Sequence, residues 1–181
     1  DIYVFPFEYF PASFEEDVKA FADRLANADL DDDGPARPAR PATISTRTYQ
    51  LRAAASALAH SGADPATIVG LACLVEIETF KTILHFFMKR AGGGTSSNVA
   101  QMATCLRNAA RYVVKVDEEH ERKIASLCRK VAVPTGGMTS KNRERLRPFD
   151  DQDVAGEFLQ LPDTIRRHVE LDKRAPARKA V

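Results

Sequence analysis

The stretch RPARPATISTRTYQLRAAASALAHSG, residues 37–62, decides the fold because a long predicted helix begins here, directly after a proline-rich segment. The helix is expected to start at Ala42 or Thr43 and to end near Ser61, since a glycine such as Gly62 is typical of a helix end. Its side chains separate into two faces at 100° per residue. The predicted core face comprises Ile44, Leu51, Ala55 and Leu58, and the opposite face comprises Thr43, Thr46, Gln50, Ala53 and Ala57.

The second face of this helix is neutral and short-chained, with Arg47 at one edge and Arg52 at the other. Small side chains let a helix approach phosphates closely, and hydroxyls and N–H groups at a helix start bind phosphate oxygens. A helix predicted at 96–116 repeats the pattern, with polar residues away from its core and arginines at its flank. Close packing of two helices and ordinary helix capping are the structural alternatives.

Charge is unevenly distributed along the 181 residues, although the formal net charge is only +1. Residues 1–33 hold ten acidic residues against Lys19 and Arg24, whereas residues 34–63 and 79–116 hold none. Such segregation produces a one-sided electrostatic field, which favours a polyanionic partner. It is the coincidence of the acid-free blocks with the two polar helix faces that indicates nucleic acid.

The remaining segments predict an all-α fold, a compact orthogonal bundle of four to five helices. Ser13 is expected to cap a helix at 14–27, Asp64 a short one at 65–73, and Asp117 one at 118–131. Residues Thr95 to Ser97 are expected to cap the helix at 96–116, and another helix is predicted at 77–91. The only candidate strand is IYVF, at residues 2–5.

Other functional classes find little support in the residues. Cys73, Cys105 and Cys128 are far apart and odd in number, which predicts reduced, buried thiols rather than a metal site. No cofactor, metal or small-molecule ligand is expected. No apolar run approaches the ~20 residues that a membrane span needs, and the acidic N-terminus is unlike a signal peptide. These features predict a cytoplasmic protein without a membrane partner.

Three segments together resemble the core-binding domain of tyrosine recombinases, the phage-integrase family. Thr43, Arg47, Leu51 and Ala54, followed by SALAHSG, are similar to the first helical signature of that domain. TSSNVAQMATCLRNAARYVVKV at 95–116 resembles its second signature, and GMTSKNRERLRPFDD at 137–151 resembles the linker to the catalytic domain. The resemblance implies a SAM-like helical domain that crosses the major groove of duplex DNA with two helices.

The resemblance also implies a domain organisation. Residues 1–12 would be an N-terminal arm, 13–133 the core-binding domain, 134–149 a basic interdomain linker and 150–181 the truncated start of a catalytic domain. None of the four histidines begins an HxxR motif, and the last tyrosine, Tyr112, lies inside a predicted helix. The chain itself is therefore expected to have no catalytic residues, although its parent would break and rejoin DNA.

The predicted function is duplex DNA binding as the gripping module of a site-specific recombinase, which acts in DNA integration and recombination. The expected partners are double-stranded DNA and other recombinase subunits assembled on it. The alternatives are a helical protein–protein interaction scaffold and a stand-alone DNA-binding regulator. The predicted DNA contacts are Arg37, Arg40, Thr43, Ser45, Thr46, Arg47, Gln50, Arg52, Ser96, Ser97, Asn98, Gln101, Arg107, Arg111, Lys141, Arg143 and Arg145.

Overall fold

A computed structural model describes residues 3–27, 34–134, 138 and 140–174, with side chains as far as residue 171. Within these ranges the fold is all-α, as predicted, and contains no strand. The helices are α1 (Ala12–Ala26), α2 (Pro41–His60), α3 (Leu71–Val75), α4 (Ile77–Arg90), α5 (Ser97–Ala109), α6 (Glu118–Val131), α7 (Ser140–Leu146) and α8 (Gln152–Arg174). In the same ranges, no helix combines the length and apolar character that crossing a bilayer requires.

The chain divides into two units, residues 1–134 and 135–181. The first unit contains α1 to α6 around one core, whose largest fully buried side chains include Phe14, Phe21 and Phe80. The second unit contains α7, a 3₁₀ turn at Arg147–Asp150 and α8. Part of the segment predicted as a linker, 134–149, is therefore helical, and α8 presents several exposed apolar side chains, Phe158 and Ile165 among them.

Helix α2 is the central element of the first unit, because α1, α4 and α5 all pack against it. The prediction that its second face is open to solvent is wrong for Gln50, Ala53 and Ala57, which are buried. Periodicity identified Leu51 and Ala55 as core, and both are fully buried. The physical reason for the difference is that alanine leaves room for a neighbouring helix, so α2 is enclosed on more than one side.

Three of the predicted helix caps are confirmed. The Asp64 side chain accepts a hydrogen bond from the Ala66 amide at 2.9 Å at the start of the 3₁₀ turn Pro65–Thr67. Ser96 accepts a hydrogen bond from the Val99 amide at 3.4 Å at the start of α5, and Asp117 accepts one from the His120 amide at 2.8 Å at the start of α6. The cap predicted at Ser13 is wrong, because α1 begins at Ala12 and the Ser13 hydroxyl donates to the Val69 carbonyl at 2.7 Å. Ser13 thus ties α1 to a distant loop instead.

The helix predicted at 96–116 changes its hydrogen bonding before it ends. After α5 the chain forms a π-helical turn at Ala110–Val114, and Lys115 then adopts a left-handed conformation with φ of 55°. Similarly, the helix predicted at 65–73 is a 3₁₀ turn at Pro65–Thr67 followed by α3. Gly70 separates these two elements with an extended backbone, φ −176°.

The residues before α1 form an N-terminal strap, defined here as residues 3–11, instead of the candidate strand. The Phe5 amide donates to Ser56 Oγ at 3.0 Å, and His60 Nε2 lies 2.9 Å from the Tyr3 carbonyl. The Phe5 ring also stacks on the His60 ring, with 4.7 Å between centroids. Aromatic contacts to α2 and α4 therefore hold the strap, whereas Ile2 of the candidate strand lies outside the described residues.

All three cysteines are free thiols, and Cys105 is buried between α5 and α2. Its Sγ donates to the Arg47 carbonyl at 3.6 Å. Burial raises the pKa of Cys105 to about 12, which keeps it a neutral, inert group at physiological pH. The prediction of a buried thiol is thus confirmed for Cys105, while Cys73 and Cys128 are half-buried. No cluster of potential metal ligands occurs within the described ranges.

Gly70→Ala is expected to destabilise the first unit by about 1–2 kcal/mol, because a Cβ there would lie 2.5 Å from Asp17 Oδ2. That carboxylate oxygen accepts a hydrogen bond from the Leu71 amide at 2.9 Å and so links α1 to α3. Asp17→Ala removes the same bond, so the effects of the two substitutions should not add. Urea unfolding of both variants and the double variant measures this, and additive losses would contradict it.

Candidate nucleic-acid interface

Three adjoining depressions run along α2 and together form what we name the α2 groove. Their volumes are about 300, 480 and 550 Å³, from the start of the helix to its end. The first is lined by Ala42, Thr43, Thr46, Arg47 and Gln101. The second, the central cleft, is lined by Tyr3, Thr46, Tyr49, Gln50, Ala53, Phe87, Arg90, Ala91, Ser96, Asn98, Val99, Gln101 and Met102. The third is lined by His60, Ser61, Thr82, His85, Phe86, Lys89 and Arg90.

Neighbouring depressions of the groove adjoin, because they share lining residues. Thr46 and Gln101 belong to the first two depressions, and Arg90 belongs to the second and third. The described lining contains three cationic side chains, Arg47, Lys89 and Arg90, and no carboxylate. A surface with these properties attracts anions along the length of the helix, since nothing in its described lining opposes their charge.

A hydrogen-bond network at the first depression joins α2 to α5. Arg47 Nη1 donates to Gln50 Oε1 at 2.8 Å and to the Gln101 carbonyl at 2.9 Å. The exposed Thr46 hydroxyl donates to the Ala42 carbonyl within its own helix at 2.9 Å. The structure therefore brings together the predicted residues of both helices, but Arg47 also has a structural role, and Gln50 is only 9% exposed.

Arg90 is the principal groove residue that is missing from the DNA contacts predicted from the sequence. It lies at the end of α4, where its guanidinium stands 4.1 Å from the centroid of the Tyr3 ring. Burial, with a contribution from the nearby Tyr49, raises the pKa of Tyr3, so this phenol stays neutral. The sequence feature that could have identified Arg90 is its position in the second acid-free block, residues 79–116.

Arg52 was predicted at the edge of the DNA-contact face of α2. It is not among the residues that line the described part of the groove. Its guanidinium lies over the Phe7 ring at 5.3 Å and the Tyr49 ring at 5.8 Å. Its Nε atom is buried without a hydrogen-bond partner among the described residues. The strap therefore packs against Arg52 through Phe7. Helical periodicity does not predict the course of the strap, so this contact could not be expected from it.

Arg107 is paired with an acid. Its Nη2 lies 3.2 Å from Glu121 Oε1 of α6, which packs against α5. Acidic side chains favour the first turn of a helix, and α6 carries Glu118, Glu119 and Glu121 there. This ion pair offsets part of the positive charge of Arg107, whose DNA contact stays a prediction, whereas Arg111 is exposed on the π-helical turn.

Among the remaining predicted contacts of the first unit, Ser96 is half-buried and the others are exposed, and only some of them line the groove. Arg37 and Arg40 precede α2, and the Arg40 carbonyl accepts hydrogen bonds from the first turn of that helix. Ser45 and Ser97 lie outside the described lining of the groove, whereas Ser96 and Asn98 line its central cleft. In the second unit, the predicted contacts Lys141, Arg143 and Arg145 are exposed on α7, as is the acidic Glu144.

The third depression combines two histidines with two cationic side chains near the end of α2. His60 stacks between Phe5 and Phe86, with ring centroids 4.7 and 5.9 Å away. These rings fix the position of the imidazole, while Lys89 and Arg90 supply positive charge at the end of α4. Sequence patterns did not single out this cluster, because its members come together only when α2 and α4 pack.

The groove can accommodate an extended anionic ligand, since hydroxyls, carboxamides and cations follow one another along it. Comparisons of the chain with known protein families, with known proteins and with solved structures find no match.

Proposed function

We propose that the first unit binds duplex DNA along the α2 groove. The observation that carries this proposal is the absence of carboxylates from the described lining of three successive depressions. Phosphate contacts from cations, hydroxyls and amides dominate protein–DNA hydrogen bonding, and all three donor types line this groove. The acid-free blocks of the sequence supply all of the lining residues except Tyr3, so sequence and geometry favour the same surface.

The dimensions of the groove suit an extended polymer better than a compact ligand. Helix α2 has 20 residues, which corresponds to about 30 Å at the usual rise per residue. A B-form strand places a phosphate about every 3.4 Å along the helix axis, so a duplex can present several phosphates to a surface of this length. Short side chains such as Thr43 and Thr46 permit close approach of the backbone.

The resemblance to tyrosine recombinases supports a more specific role, the gripping of DNA beside a catalytic domain. In this proposal, α2 and α5 are the two helices that meet DNA, and the basic side chains of α7 add backbone contacts in the second unit. Other recombinase subunits on the same DNA would then be further partners. The motif order in the sequence is the support for this part of the proposal.

We expect micromolar binding to a duplex at low salt, with strong salt dependence. Neutralising four to six phosphates predicts a slope of roughly −4 to −5 in a plot of log affinity against log salt concentration. Fluorescence anisotropy of a labelled 30-base-pair duplex at about 50, 100 and 200 mM salt measures both quantities. Binding should be close to lost at about 200 mM, given that slope.

No binding at low salt, or an affinity that salt leaves unchanged, would contradict the proposal. The interaction scaffold is the second candidate, and the exposed apolar side chains of α8, such as Phe158 and Ile165, favour it. A scaffold in which a partner helix packs against Ala53 and Ala57 is not supported, because both residues are buried within the chain. A concentration-dependent, salt-insensitive dimer in gel filtration, without DNA binding, would favour the scaffold.

A further inference from the structure

The central cleft of the α2 groove differs from its neighbours in having aromatic walls. Tyr3 of the strap, Tyr49 of α2 and Phe87 of α4 line it, above an apolar floor that includes Val99 and Met102. Tyr49 is 47% exposed, and the Arg52 guanidinium stands over its ring at 5.8 Å. A flat aromatic ligand can stack in such a cleft, and its volume of about 480 Å³ is within the usual range for small-ligand sites.

The polar groups of the cleft are mostly carboxamides, contributed by Gln50, Asn98 and Gln101. Arg47 holds Gln50 by donating to its Oε1 at 2.8 Å, which leaves the Gln50 amino group to donate toward the cleft. Carboxamides both donate and accept hydrogen bonds, as do the edges of nucleobases. Their presence beside aromatic walls therefore favours a ring with mixed donors and acceptors over a purely apolar one, which would leave them unpaired.

Charge in the cleft points to an anionic group attached to that ring. Arg90 is its cationic side chain, and the described lining contains no carboxylate. This composition disfavours a metal ion, which would need anionic or imidazole ligands. The Arg90 guanidinium can bind a phosphate, and the aromatic and carboxamide side chains beside it can bind a base. Together these groups suit a nucleotide.

We propose that the central cleft binds an unpaired nucleobase together with its phosphate. The inference rests on the proposed function to the extent that a bound DNA strand supplies the nucleotide. A base inside a continuous duplex is stacked on both faces and cannot enter the cleft, so the ligand is an extrahelical or single-stranded nucleotide. Stacking on Tyr49 gives affinity, and the carboxamides contact the base edge.

The test compares two duplexes of the same sequence, one fully paired and one carrying a single bulged 2-aminopurine. The bulged duplex should bind about tenfold more tightly, as expected for one base stacked on an aromatic side chain. The fluorescence of its 2-aminopurine should also change on binding. Tyr49→Ala should remove both differences, whereas Tyr49→Phe, which retains the ring, should preserve them.

Equal affinity for the two duplexes, with unchanged fluorescence, would overturn this inference and leave duplex binding intact. If neither duplex binds, the proposed function fails, and the free 2-aminopurine deoxynucleotide then tests the cleft alone. Quenching of that nucleotide by the parent chain and not by Tyr49→Ala would support the site with a free nucleotide as its source. No quenching would overturn it. Circular-dichroism melting of both Tyr49 variants controls for folding.

Discussion

Replacing Thr46 and Gln101 together by glutamate is expected to weaken duplex binding by about 2–3 kcal/mol, or roughly 30- to 150-fold, at low salt. The two side chains line both the first depression and the central cleft of the α2 groove. Two carboxylates there would face the phosphates and interrupt an otherwise acid-free lining. Anisotropy titration of the labelled duplex at about 50 mM salt measures the change, since screening is weakest there.

The fold should tolerate this double substitution. Both residues are exposed, and the Gln101 group that accepts from Arg47 is its backbone carbonyl, which remains in the variant. Glutamate at position 101 would also stand near the Arg47 guanidinium, an attractive arrangement. The melting temperature is therefore expected to change by only a few degrees, as for most surface substitutions.

A matched control carries the same two added charges away from the groove. Ala20 on α1 and Ala72 on α3 are exposed and lie outside the described lining, so Ala20→Glu with Ala72→Glu provides it. This control should bind the duplex within about threefold of the parent, since surface charges beyond a Debye length are screened. Equal binding by the Thr46 and Gln101 double variant would show that the groove is not the DNA surface.

Arginine reversal would be a less discriminating test of the same surface. Arg47 joins α2 to α5 through its hydrogen bond to the Gln101 carbonyl, and Arg107 forms an ion pair with Glu121 of α6. Glutamate at either position would remove an interhelical contact as well as a positive charge. A loss of DNA binding in such variants would combine structural and electrostatic effects, which the exposed Thr46 and Gln101 positions separate.

The helix caps that depend on contacts within a few residues were predictable from the sequence. Ser96 and Asp117 were identifiable as caps because each accepts from an amide three residues later. Ser13 has the same local signature, yet its hydroxyl donates to Val69, 56 residues away. A long-range partner of this kind leaves no trace in residue spacing, so the prediction failed there for a physical reason.

The candidate site shows the same division. Thr46, Gln101 and Asn98 were predictable from helix periodicity and do line the groove. The burial of Ala53 and Ala57 was not predictable, because alanine suits both an open face and a close helix contact. Likewise, the contact of Arg90 with Tyr3 depends on the strap, which the sequence suggested only as an arm.

Phe14→Ala is expected to cost about 3–5 kcal/mol in the free energy of unfolding, the range for a buried phenylalanine cut back to alanine. Phe14 is fully buried, and its ring lies 5.3 Å from that of Phe10 and 6.2 Å from that of Phe7. The substitution would leave a cavity where α1 meets the strap. Small domains have only about 5–15 kcal/mol of net stability, so a large share would be lost.

The effect should extend to the groove, because the strap contributes Tyr3 to the central cleft and positions it beside Arg90. Urea unfolding followed by far-UV circular dichroism measures the stability. Tyr9→Ala is the matched control: Tyr9 is 60% exposed, although it stacks on Phe5 at 5.1 Å, and should cost less than about 1 kcal/mol. Similar small losses in both variants would mean that α1 and the strap lie outside the cooperative core, and the strap could then not hold the cleft in shape.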